Sequence, residues 1–184
     1  FYVLPHNAAH AYTSKRSIVT AMQLHQGAES KWFLKLDLKD FFPNHNHEYI
    51  MKVLAQLFPF AAIVKSDEAK EALSTLIKLG LLNDSLPQGT PLSPVLTNIL
   101  MVPIDLAIQK LLYDYPHQVF TYTRYPDDRT ISSKYHFRHT KIVSDIQEIL
   151  TNFETPFTLK AEKTRYGSSS GRNWNLGIML NKDN

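Results

Sequence analysis

Asp127 and Asp128 stand side by side in Tyr125-Pro126-Asp127-Asp128, between Gln118–Arg124 and Arg129–Ser133. Both flanking stretches are rich in β-branched and aromatic residues and read as strands. The two acids therefore fall at the tip of a tight hairpin. Adjacent carboxylates repel unless a cation lies between them, and a hard divalent ion held by carboxylate oxygens relieves that repulsion. A plain polar turn, in which Asp is common, is the other reading of the dipeptide. A third acid, Asp37, stands near the end of Lys31–Leu38, a further predicted strand in which Phe33 has an apolar neighbour on either side. With that strand beside the hairpin, three carboxylates meet at adjacent strand ends. Such a set can hold two divalent ions about 3.5–4 Å apart, one acidifying an attacking hydroxyl and the other stabilising a leaving pyrophosphate.

A second unusual segment is Leu86-Pro-Gln-Gly-Thr-Pro-Leu-Ser-Pro94, with three prolines and one glycine in nine residues. It reads as a rigid loop that brings backbone close to a flat ligand, with Gln88 able to donate and to accept hydrogen bonds. A purely structural loop and helix cap fits the same residues. Ser93-Pro94 has the form of a cap followed by proline at the first helical position. His45-Asn46-His47 follows Pro43 and reads as a solvated turn rather than a pair of metal ligands.

These groups need elements to position them. Apolar periodicity predicts helices over Ser14–Gln26, Asn46–Leu57, Ser66–Leu79 and Thr140–Phe153, with Asn46 as a cap and Gly27 and Gly80 as stops. A long helix from Ser93 to about Leu112 is perturbed near Pro103. Short strands are expected at Phe157–Lys160 and Trp174–Leu180, separated by the Gly/Ser-rich Gly167–Arg172. The order strand, helix, strand-turn-strand, helix, strand is the split β-α-β-β-α-β arrangement of an α+β fold. With 184 residues, 43% hydrophobic and 20% charged, the chain can form one sizeable core. Its net charge of +3 is a mild basic bias, compatible with nucleic acid. The absence of cysteine excludes a disulfide framework and a Cys-based zinc site. No apolar run approaches a membrane span and no signal peptide is visible, so a cytoplasmic setting is expected.

Taken in order, Lys35-Leu-Asp37-Leu-Lys-Asp-Phe-Phe42, Leu86–Pro94 with Asn98, and Tyr125-Pro-Asp-Asp128 resemble the reverse transcriptase motifs, most closely those of bacterial retron, group II intron and abortive-infection enzymes. Ala11–Ile18, with its Arg16-Ser17 pair, is similar to that family's finger segment. Leu159-Lys-Ala-Glu-Lys163-Thr is similar to its lysine motif, and Trp174–Leu180 to its primer-grip hairpin. The resemblance implies a reverse-transcriptase-like palm: partial fingers over 1–31, palm over 32–184, and a mainly helical insertion over about 43–85. The family's first finger motif would precede Phe1 and its thumb would follow the last hairpin, so a piece of a longer protein is expected.

The implied activity is RNA-directed DNA polymerisation, with Mg2+ (or Mn2+), an RNA template, a DNA or RNA primer and deoxynucleoside triphosphates. Asp37, Asp127 and Asp128 are the implied catalytic acids, and the Leu38 carbonyl adds a backbone metal ligand. Phe42, five residues after Asp37, is the implied gate against a ribose 2′-hydroxyl. Gln88 and Gly89 belong to the nucleotide loop, Lys163 approaches the triphosphate, and Arg16 grips template or triphosphate. Two residues depart from the pattern. Pro126 removes a backbone donor beside the acids, and Arg129 replaces an apolar residue, pointing a cation either at the site or at solvent. Two alternatives accompany this reading: a template-independent polymerase of a phage-defence system, and a degenerate palm acting as a binding module.

Overall fold

The computed structural model describes residues 5–169 together with the backbone of 174–175 and 178–179. Helix α1 (Ile18–Gly27) starts at Ser17, whose hydroxyl accepts from the Thr20 amide while Thr20 returns a bond to the Ser17 amide. This reciprocal cap satisfies donors that the first helical turn leaves open. The central strand β1 (Trp32–Asp37) follows. The segment after it carries α2 (His47–Leu54), the short α3 (Phe60–Ile63) and α4 (Asp67–Leu79). Asn46 caps α2 as its position predicts, and Ser66 caps α4 with Asp67 and Glu68 in the first turn.

The predicted long helix is two helices, α5 (Leu92–Leu100) and α6 (Val102–Tyr113), bent by 43°. Pro103 lies in the first turn of α6, where its missing amide costs nothing, so the chain breaks just before it. Strands β2 (Phe120–Tyr125) and β3 (Asp128–Ser133) form the predicted hairpin, and α7 (His139–Asn152) follows. A 3-10 turn (Ala161–Lys163) leads into β4 (Arg165–Ser168).

Three expectations are corrected. Ser93 is no cap; it lies inside α5, and its hydroxyl donates instead to the Pro87 carbonyl at 2.6 Å. Phe157–Lys160 is not a strand: only Leu159 pairs, with Leu38, and the edge strand is β4, part of which overlaps the presumed Gly/Ser spacer. Trp174–Leu180, a strand by its pattern though a hairpin by the resemblance, contains β5 (Trp174–Asn175) and β6 (Ile178–Met179), which pair antiparallel as the resemblance implies. Residues 170–173, 176–177 and Leu180 lie outside the described residues.

The main sheet is antiparallel throughout, in the order β2-β3-β1-β4. With α5 and α6 before β2, and α7 between β3 and β4, this is the split β-α-β-β-α-β topology. Strand alternation assigns the two faces. On one, Leu34, Leu36 and Ile131 share a continuous core with Leu100, Ile104 and Ile146 of α5, α6 and α7. On the other, Phe33 packs on Ala21 and Met22 of α1. Among the described residues helix α1 covers the far end of that second face, around Phe33, and not the end near Asp37.

Candidate active site

Asp37 is the last residue of β1 and Asp128 the first of β3, and the two are direct register partners. Residues opposed in an antiparallel pair project from the same face. Asp127 precedes Asp128 in the two-residue turn that joins β2 to β3. Lys35, two residues before Asp37, lies on that face as well. Burial, with the charges of Asp127 and Asp37, raises the Asp128 carboxyl to about 6 against the opposing charges of Lys163 and Lys35.

Asp37 itself is 7% exposed and meets two ammonium groups. Lys160 Nζ lies 2.9 Å from Oδ1 and Lys163 Nζ 3.1 Å from Oδ2. Lys163 is the predicted residue, here seated on an acid; Lys160 was not anticipated. Backbone bonds bring it there: Lys39 N donates to Thr158 O, and Lys160 N donates to Asp37 O, each at 2.9 Å. With Asp37 O turned toward residue 160, extended-chain alternation turns the Leu38 carbonyl the other way, toward the hairpin.

Among the described residues no three acids or histidines are gathered into a closed metal cage. The donor set nevertheless fits a hard divalent ion, because carboxylates and a carbonyl are oxygen ligands of the kind Mg2+ takes. Asp37 Oδ1 is buried, and the Lys160 ammonium lies against it at 2.9 Å, where a metal would have to displace it.

Behind the sheet, on the helix-packed face, Arg124 and Arg129 are register partners and both fully buried. Arg124 Nε donates to both carboxylate oxygens of Asp105, at 2.9 and 3.1 Å. Its Nη2 donates to Asn98 Oδ1 and its Nη1 to the Pro126 carbonyl, each at 3.1 Å. Tyr122 Oη also donates to Asp105, at 2.7 Å. Arg129 Nη1 donates to the Asp127 carbonyl at 3.0 Å; among the described residues Nη2 has only the Met101 sulfur at 4.0 Å and Nε has no partner. Arg129 therefore points neither at the carboxylates nor at solvent, which corrects the sequence expectation. Alternation from Asp128 forces this: neighbours on a strand face opposite sides. The two guanidiniums brace the turn from its rear through the carbonyls of residues 126 and 127. Asn98 extends the brace, donating to the Ala11 carbonyl at 2.9 Å.

Residues 3–180 match the family described as reverse transcriptase (RNA-dependent DNA polymerase). The chain belongs to the reverse transcriptase family. It is 30% identical over 176 residues to the Retron Ec73 reverse transcriptase of Escherichia coli, covering 93% of this chain and 54% of that protein. It is likewise 30% identical over 195 residues to the Retron Mx162 reverse transcriptase of Myxococcus xanthus, covering 96% and 39%. The chain thus spans only about half, or less, of the length of these relatives. Among solved structures, telomerase from Candida albicans bound to a fragment of telomeric RNA superposes with a TM-score of 0.59 at 15% identity, over 87% of this chain and 32% of that one. Apo telomerase from Candida tropicalis gives 0.55 at 16% identity, over 82% and 34%. Those two likenesses concern the fold alone.

The other predicted residues of this reverse transcriptase palm fall around the acids to different degrees. Phe42 lies in the turn after β1, half-buried against Phe41, with ring centres 5.3 Å apart. Gln88 and Gly89 are exposed on a loop that Ser93 and Thr90 tie to the Pro87 carbonyl. Gly89 has φ +85°, a conformation that favours glycine. Arg16 is spent on the N-terminal segment, where Nη1 donates to the carbonyls of His6, Asn7 and Ala9 at 2.9–3.1 Å.

His45, expected in a solvated turn, is fully buried among Phe41, Tyr49 and Phe157, and its Nδ1 bonds the Phe41 carbonyl at 2.6 Å. Burial depresses its pKa to about 4. His25 was not singled out by its sequence. It is fully buried between α1 and the sheet, with Nδ1 2.5 Å from Ser132 Oγ and Nε2 2.8 Å from Thr123 Oγ1. Ser132 donates to Ser30, so Nδ1–H is the donor to Ser132 and Nε2 accepts from Thr123.

Proposed function

We propose that this palm carries the polymerising centre of an RNA-directed DNA polymerase. It extends a DNA or RNA primer along an RNA template with deoxynucleoside triphosphates. The observation that carries the reading is the register pairing of Asp37 with Asp128, with Asp127 adjacent, on the open face of the sheet. Asp37, Asp127, Asp128 and the Leu38 carbonyl would hold Mg2+, or Mn2+ in its place. Held there, the ion would supply Lewis-acid chemistry, lowering the pKa of a primer 3′-hydroxyl and offsetting the charge of a departing pyrophosphate. The protein's own part is positioning and electrostatics. The two-residue turn and the guanidiniums of Arg124 and Arg129 hold the backbone of residues 126 and 127, which aims the acids. Phe42 forms the wall against a ribose 2′-hydroxyl. Gln88 and Gly89 line the nucleotide, and Lys163 serves its phosphates.

Likeness to the retron enzymes supports a retron setting. Among the described residues no single helix is long and apolar enough to cross a membrane, and a cytoplasmic site of action belongs to the same proposal. Burial of Arg129 behind the sheet supports activity over the degenerate-module reading, because its charge does not neutralise the acids.

The test is deoxynucleotide incorporation by the full-length protein with Mg2+ on primed RNA, primed DNA and no template, beside Asp127→Ala. The expected result is RNA-templated synthesis that falls by about a hundredfold or more in the variant. Equal synthesis by the variant refutes the reading. Synthesis without template replaces it with the untemplated polymerase.

A further inference from the structure

Lys160 is a cation on the acid cluster that nothing in the chemistry above uses. It is less exposed than its neighbour: the Lys160 side chain is 20% exposed and that of Lys163 55%. Its root is fixed on both sides. The Lys160 amide donates to the Asp37 carbonyl, and the Lys160 carbonyl accepts from the amides of Lys163 and Thr164 at 3.1 Å and from the Thr164 hydroxyl at 3.1 Å. Only the flexible stem can move, so the ammonium stays near Asp37 whatever occupies that carboxylate.

Lys35, Lys160 and Lys163 face Asp37, Asp127 and Asp128, an even count of opposite charges. Divalent ions added to a balanced cluster create a positive excess. Two consequences follow from Coulomb's law. The ions must first displace the ammonium groups from Asp37, and the displaced ammoniums then sit beside a site that calls for a highly charged anion. Lysine suits that exchange, being a compact, strongly hydrated point charge on a mobile stem.

We propose that Lys160 is a phosphate-binding residue held in reserve on Asp37: metal uptake by Asp37 releases its ammonium to the phosphates of the incoming nucleotide. The proposal rests on the polymerase reading above. In the free protein Lys160 competes with metal; in the loaded protein it supports nucleotide. Its removal therefore moves two affinities in opposite directions, which loss of a merely structural ion pair does not do.

The experiment uses the full-length protein, Lys160→Gln and Lys160→Arg. Mn2+ alone is titrated by electron paramagnetic resonance, and dATP is titrated by equilibrium dialysis with Ca2+ and no primer. The backbone bonds at residue 160 survive both substitutions, and circular dichroism checks the fold. Lys160→Gln is expected to tighten Mn2+ about fivefold, the scale of a partly exposed ion pair, and to weaken dATP about tenfold, the scale of a charge-assisted contact. Lys160→Arg is expected to keep dATP within about threefold of wild type, since the charge remains. The proposal is overturned if Lys160→Gln leaves Mn2+ affinity unchanged or weaker, or leaves dATP affinity unchanged. If the unsubstituted protein binds neither Mn2+ nor dATP, the polymerase reading fails together with it. Binding of both by wild type, with no response in Lys160→Gln, removes the Lys160 role alone.

Discussion

Substituting Asp105 by alanine probes the rear of the site. Two guanidiniums lie opposite each other on the buried face, and Asp105 is the one carboxylate they touch among the described residues. Neither side chain of the Arg124–Asp105 pair is exposed at all. At an effective dielectric of about 20, charges about 4 Å apart attract by about 4 kcal/mol. Removing one partner of a buried pair costs about 3–5 kcal/mol, because the other charge remains without compensation. Tyr122 loses its acceptor too, adding about 1 kcal/mol.

Asp105→Ala should therefore lose about 4–6 kcal/mol, a large part of the about 5–15 kcal/mol that holds a domain together. Arg129→Met is the counter-experiment. It removes a buried cation whose only partners among the described residues are a carbonyl and a sulfur, along with its repulsion of Arg124. Loss of the bond to Asp127 O, about 1–2 kcal/mol, is offset by the relief of burying a charge, so stability should stay within about 1 kcal/mol of wild type. In that background the cost of Asp105→Ala should shrink by about 1–2 kcal/mol, since one cation is gone. Urea unfolding at neutral pH, followed by circular dichroism, measures all four proteins. The reasoning is refuted if Asp105→Ala costs less than about 1 kcal/mol, or if Arg129→Met costs more than Asp105→Ala.

Acid sensitivity should trace to buried histidines. Burial lowers His25 from 6.5 to about 4, so the unfolded chain takes up the proton first; the stabilising effect is complete above pH about 6.5 and is lost as pH falls toward 4. That shift corresponds to about 3 kcal/mol, and His25→Gln should reduce by about that much the stability difference between pH 7 and pH 4, read from urea midpoints. Replacing Phe42 by valine should raise ribonucleotide incorporation relative to deoxynucleotide by about tenfold or more, measured by competing the two on primed RNA, if its ring is the wall.

Local signals carried much of the architecture. Asn46, Ser66 and Gly80 mark helix ends through bonds that reach only a few residues, so their types sufficed. The hairpin was legible for the same reason, its turn lying between two β-rich runs. What escaped depends on distant partners. Strand β4 contains Gly167 and lacks apolar alternation; its pairing is set by the open edge of β1. Phe157 has strand-like neighbours, yet it turns its ring into the cluster around Phe41 and Tyr49, and only Leu159 pairs. Ser93 had the chemistry of a cap, but a carbonyl six residues earlier captured its hydroxyl. In the site, the three acids were legible as types and spacing. Lys160 was not, because its contact with Asp37 spans the whole palm. Arg129 was misjudged because both sides considered for it ignored the helix-packed one.

The pairing of Asp37 with Asp128 also makes the sheet a frustrated object. Sliding β3 by one residue along β1 would set Asp37 opposite Arg129, exchanging mutual repulsion for an ion pair. At that one position charge favours the slipped register. The two-residue turn ties β2 to β3, so both strands would have to slide together. A slip of one also reverses every side chain, expelling fully buried Ile131 from the core and driving Thr130 and Ser132 into it. The apolar face therefore keeps three like charges crowded together against their own preference. Mutations that shrink Ile131 or the leucines facing it should loosen that hold, so that the acid constellation fails by misregistration before the domain unfolds.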